Sequence, residues 1–193
     1  MSFNVIRHKD IHQAHVIMGA AAPHAGHPDR HAFQLLNNIL GGPAMTSRFN
    51  TALRERAGLV YTVESTYSAY PDAGLWQVYF GCDPHDAPRC RHLVERELKQ
   101  IITTPLTPRQ LRAAQQQYCG QIGIARSNRE NYAISLGKTY ALYGHVRSLD
   151  ETFALIQAVT APQLQIVAAR WLNPEHLSTL TYAPHETSYP LPR

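Results

Sequence analysis

The chain of 193 residues lacks every compact motif by which one polypeptide does hydrolysis or nucleotide chemistry alone. HExxH and HxxEH set metal ligands and a water-activating carboxylate on one helical face, and neither occurs. Glu175-His176 supplies the last two letters of HxxEH, but Leu172 stands where the first His is needed. His185-Glu186 opens HExxH, but its fifth position is Tyr189. A GxSxG elbow, a Walker phosphate loop and GxGxxG are missing too. Cysteine is scarce: Cys82, Cys90 and Cys119 are odd in number and unrelated in spacing, which excludes a CxxC knuckle and argues against a disulfide framework. No stretch approaches the roughly 20 apolar residues of a membrane span, and Met1 to Asp10 holds no signal-like apolar core. The expected setting is soluble and without a membrane partner, the cytoplasm ahead of other compartments.

Charge of one sign is in modest excess, at +4 with a pI near 9.1, but Lys and Arg are scattered rather than gathered in runs. That pattern does not make a nucleic-acid footprint, so an anion- or nucleic-acid-binding module is a remote reading, recognisable by steeply salt-dependent affinity. Histidine is the one metal-binding type in quantity, with 11 residues. His24, His27 and His31, and also His8, His12 and His15, have spacings a metal can use, but no cysteine or carboxylate cluster accompanies them, and they read as exposed polar residues. No metal site is expected on this chain.

What the chain does have is periodicity. Alternation at Ala14, Val16 and Met18 predicts a strand, and Pro28 opens a helix with the stripe Ala32, Leu35, Leu36, Ile39 and Leu40, stopped at Gly41-Gly42-Pro43. Thr46 is expected to cap a second helix with Phe49, Ala52 and Leu53 inward, ended by a left-handed Gly58. Two β-branched and aromatic runs, 60–70 and 75–81, flank the turn Pro71-Asp72-Ala73-Gly74 and predict an antiparallel hairpin. Asp83-Pro84 and Thr107-Pro108 each start a helix, and a third follows over 127–143. Ser148 with Glu151, and Thr160 with Gln163, form capping boxes for short helices burying Leu155, Ile156 and Val159, then Leu164, Val167, Ala168 and Trp171. A last strand over 177–182 completes an α+β fold: an antiparallel-dominated sheet with helices packed on one face, in a single domain 1–193 with a loose tail over 184–193.

The segment from Leu35 to Pro84 is specific. It contains Leu40-Gly41-Gly42, Ser47-Arg48-Phe49, Leu53-Arg54-Glu55, Gly58-Leu59, Tyr61, Asp72-Ala73-Gly74 and Asp83-Pro84 in that order. This series resembles the non-metal, C-terminal half of the insulinase/pitrilysin family of zinc peptidases, in the style of its processing-peptidase branch, with weaker similarity over about 11–183. The resemblance implies one half of a clamshell whose other half, a partner domain or subunit, carries HxxEH and the zinc. It also implies that Arg54 and Tyr61, seven positions apart, meet an extended peptide substrate. Arg offers a fork of donors, and a Tyr hydroxyl can donate to an oxyanion developing on the scissile carbonyl. Gly41 and Gly42 match a place where some family members carry a longer glycine-rich substrate loop; a plain helix stop explains them equally. An excised domain is expected rather than a separate subunit, and a non-proteolytic structural subunit of the same fold is the alternative.

Overall fold

Between Tyr70 and Gly74 the chain has too few residues for a crossover, so the strands on either side pair antiparallel. The computed structural model describes residues 2–185, the side chains of Leu142 and Tyr143 apart. The remainder of the expected tail, 186–193, lies outside the described residues. Five strands form one sheet: β1 (Asn4–Lys9), β2 (Ala14–Ala21), β3 (Val60–Ala69), β4 (Gly74–Cys82) and β5 (Ser178–Pro184), ordered β1-β5-β2-β4-β3. Antiparallel pairing links β3 to β4, β4 to β2 and β2 to β5. The sequence reading missed β1, which pairs parallel with β5 from Asn4↔Thr179 to Lys9↔Pro184 and makes the sheet mixed rather than purely antiparallel.

Period-2 alternation turns one face inward. Ala14, Val16 and Met18 on β2, Trp76, Val78, Phe80 and Cys82 on β4, and Thr179 and Thr181 on β5 are all buried. The helices cover that face: α1 (Arg30–Gly41), α2 (Ala87–Thr103), α3 (Pro108–Ala125), α4 (Arg129–Tyr143), α5 (Leu149–Gln157) and α6 (Ala161–Trp171). The stripe of α1 enters the core with Ala32, Leu35, Leu36 and Leu40 nearly inaccessible, and α1 lies against β3, α3 and α6. Two capping boxes close completely, Thr107 with Gln110 on α3 and Ser148 with Glu151 on α5. On α5 the expected inward set is corrected: Ile156 is buried, but Leu155 is 36 % exposed because it falls off the stripe that faces α3.

The expected second helix differs more. Thr46 makes no cap; the segment Asn50–Arg56 is a π-helix entered through Phe49, with Asn50 Nδ2 donating to Ser47 Oγ at 2.9 Å. No side chain takes over the cap: the Ser47 hydroxyl accepts from a side chain, and only the Ser47 carbonyl accepts from the Thr51 N–H, at 2.9 Å.

Candidate functional site

Arg54 sits in the last turn of the π-helical segment, a wider winding that is rare and tends to occur at functional sites. Gly58, at φ 64°, ends it. The Gly58 N–H donates to the Arg54 carbonyl at 3.0 Å and the Leu59 N–H to the Leu53 carbonyl at 2.9 Å, so the chain reverses tightly into β3. Arg54 keeps 43 % of its side chain accessible, with Glu55 Oε1 at 3.7 Å from Nε.

Tyr61 is placed by a β-bulge. Val60 pairs with Cys82 and Thr62 with Gly81, leaving Tyr61 as the extra residue opposite no partner. The bulge explains how Val60 and Val63, three positions apart, are both buried, since a regular strand would turn them to opposite faces. It also leaves the Tyr61 ring 81 % exposed at the edge strand of the sheet.

Arg54, Tyr61, Gly41 and Gly42 all line one concavity of about 500 Å³. The remaining wall is mostly amide and hydroxyl: Gln34, Asn37, Asn38, Asn50 and Gln121, with Thr62, Ser65, Tyr67 and Tyr118, and with Glu64 as its carboxylate. Such a lining can donate to and accept from a peptide backbone without demanding one side chain. Its floor is braced by a polar cluster. The buried Trp76 Nε1 donates to Asn37 Oδ1 and to Ser65 Oγ, both at 3.0 Å, the Ser65 hydroxyl donates to Asn37 Oδ1, and Asn37 Nδ2 donates to the Ser65 carbonyl at 3.3 Å. The sequence reading missed this cluster; its one signal was a strand tryptophan, whose N–H needs a partner once buried. Tyr67 OH donates to the Pro23 carbonyl at 2.6 Å. Burial pushes the Tyr118 hydroxyl up, with Arg30 pulling the other way, so it stays a protonated donor at neutral pH.

The glycines have packing reasons of their own. A Cβ on Gly41 would lie 2.5 Å from Ser65 Cβ and 2.9 Å from Phe49 Cδ2, and one on Gly42 would collide with Asn38. Their close approaches bring the end of α1 onto β3 and shape the cavity wall.

The histidines do not assemble. His24 and His27 meet edge to face at 5.5 Å, His27 Nδ1 accepts from the Asp29 N–H at 3.0 Å, and His15 Nδ1 is 2.8 Å from the Tyr79 hydroxyl. His24, His27 and His31 are half-buried rather than exposed, because the loop before α1 folds back onto the helices, with His27 edge-on to Trp171 at 5.3 Å. Among the described residues no three of His, Cys, Asp and Glu converge on a point where a metal would sit. Zinc therefore does not fit the donors described on this chain. The three thiols are buried and unbridged. No single helix among the described residues is long and apolar enough to cross a membrane.

Comparison with known proteins matches residues 2–118 to the family model described as the peptidase M16 inactive domain. The chain belongs to that family. An uncharacterized zinc protease of Streptomyces coelicolor is 32 % identical over 156 residues, covering 81 % of this chain and 34 % of the relative. One from Mycobacterium leprae is 27 % identical over 185 residues, covering 96 % of this chain and 41 % of the relative. The chain thus spans less than half the length of these curated relatives. Among solved structures, the M16 inactive domain from Pseudomonas fluorescens superposes with a TM-score of 0.84 at 18 % identity, over 98 % of this chain and 45 % of that one. A chain of complex III2 from Candida albicans gives 0.82 at 13 % identity, over 94 % and 46 %. These two likenesses establish the fold: the M16 inactive-domain architecture is the one the segment from Leu35 to Pro84 announced.

Proposed function

We propose that this M16 inactive domain is the substrate-holding half of a zinc protease, acting on extended peptides beside a partner domain or subunit that carries HxxEH and the metal. The observation that carries the reading is that the π-helix end and the β-bulge turn Arg54 and an exposed Tyr61 onto one amide-lined concavity. Nothing in the sheet packs on this 81 % exposed tyrosine, which supports a role in holding a substrate. Arg54 holds the peptide through its carbonyls or carboxylates, and the Tyr61 hydroxyl donates a hydrogen bond to the scissile carbonyl oxygen that strengthens as negative charge develops on it. A zinc held by the partner half would activate water as the nucleophile and polarise the scissile carbonyl.

Kinetics of the complete protease test this division of roles. Tyr61→Phe is expected to lower kcat by about 10²–10³, the usual effect of losing one oxyanion donor, with KM little changed. Arg54→Ala is expected to lower kcat and raise KM together, because Arg54 binds ground and transition states alike. A second reading, a non-proteolytic structural subunit, is favoured by the fold likeness to the complex III2 chain. It predicts no effect from either substitution on any peptidase activity of the assembly.

A further inference from the structure

A second cavity of about 550 Å³ opens between α1, α3, α4 and the segment 145–152, and it shares Gln34 and Tyr118 with the wall of the first. Its lining is basic: Arg30, Arg126 and Arg147, with His31 and His145, and no Asp or Glu among the described lining residues. Concentrating three guanidinium groups without a lining carboxylate costs stability unless an anion visits.

One buried atom points the same way. Arg30 Nε has no hydrogen-bond partner, although a buried donor left unpaired is costly. Arg30 Nη1 donates to the Ala25 carbonyl at 3.2 Å, and His31, which also hydrogen-bonds the Gln34 side chain, has Nε2 3.4 Å from Arg147 Nη1. Arg126 lies over the Tyr132 ring, its Cζ 5.0 Å from the ring centroid. Burial, with Arg30 and Arg147 nearby, holds His31 below its usual pKa and so largely neutral at pH 7. Glu151, close enough to Arg147 and His145 to feel their charge, is committed to its capping box, accepting from the Ser148 N–H at 2.6 Å.

The geometry points to this cavity as a carboxylate subsite for the peptide held by Arg54 and Tyr61, taking either an acidic side chain or the free C-terminus. The claim rests on the substrate-holding reading, because the shared wall of Gln34 and Tyr118 makes the two cavities neighbouring stations along one peptide. An arginine pair suits a carboxylate through its forked donors.

Fluorescence anisotropy of labelled dodecapeptides on the full chain tests it, using a glutamate-bearing peptide with a free C-terminus, its Glu→Gln form, its C-terminal amide and the doubly neutralised peptide that carries both changes. The acidic peptide is expected to bind about tenfold or more tightly than the weaker of the two neutralised forms, the value of one charge-assisted contact. Loss on Glu→Gln assigns the site to a side chain, loss on amidation to the chain terminus, and either upholds it. The double variant Arg126→Gln/Arg147→Gln, with helicity checked by circular dichroism, is expected to erase the preference and leave the doubly neutralised peptide's affinity unchanged. A preference that is absent or survives in that variant overturns the subsite. So does a failure of every peptide to bind, or saturation by inorganic phosphate alone with no discrimination among peptides. Arg54→Ala separates the two claims: it should weaken all peptides alike and keep the preference. A preference intact in Arg54→Ala with no weakening leaves the subsite standing and removes the role of Arg54.

Discussion

An alanine at position 41 would press its Cβ to 2.5 Å from Ser65 Cβ, 2.9 Å from Phe49 Cδ2 and 3.0 Å from the Ser65 nitrogen. Gly41→Ala is therefore expected to destabilise by about 1–3 kcal/mol, the usual cost of overpacking, and to disturb the Asn37–Ser65–Trp76 cluster beneath the cavity. Denaturant unfolding measures it; an unchanged midpoint would show that α1 and β3 can separate freely. At this scale the sequence was legible where residue type carries the conformation, as with the left-handed Gly58. It was not legible where a role depends on what lies opposite in space. Asn37 and Ser65 are 28 positions apart, and Arg30 meets Arg126 and Arg147 only through the packing of α1 on α3.

The bulge makes a prediction about an element rather than a side chain. Deleting Tyr61 removes the extra residue and leaves Val60 and Val63 two positions apart, on one face and still opposite Cys82 and Phe80, so the core and the β3–β4 register survive. Deleting Thr66 from the regular part of β3 would instead turn the buried residues on one side of the cut outward, at a cost of about 2 kcal/mol for one exposed valine plus the lost ladder. Tyr61→Ala keeps the backbone count and removes only an exposed ring, so its thermal midpoint should stay near that of the wild type. Equal destabilisation by the two deletions would refute the bulge. Apolar valines at an odd spacing inside a strand run were the signal for it, but the hairpin reading did not use it. The long amphipathic helices and the hairpin were readable because burial imposes period 3.6 or 2 on them. β1 was not, since it is a short, polar edge strand whose pairing with β5 spans almost the whole chain. Helix α5 has a readable pH response too. Hydrogen bonds from Ser148 hold the Glu151 carboxyl below its usual pKa, so its help to the cap is fully present above the ordinary carboxylate range and lost as pH falls through the lowered value. Helicity at α5 followed by amide exchange should drop in acid, and Glu151→Gln, which removes the titrating carboxyl, should abolish that dependence.

For the whole molecule, the sheet, its helical cover and the M16 family were all foreshadowed by one 50-residue segment, because turns, caps and glycine stops there recur at fitting spacings. The chain spans 41 % of the Mycobacterium leprae relative and presents no converging metal donors among the described residues, so it is expected to act only as part of a larger assembly. The most direct measurement is cleavage of an extended peptide, with and without a zinc chelator, by this chain alone and by a complete protein in which it is joined to the proposed HxxEH half. The account predicts no turnover from the chain alone and chelator-sensitive turnover from the complete protein. Chelator-sensitive cleavage by the purified chain, with one tightly bound zinc per molecule, would contradict it.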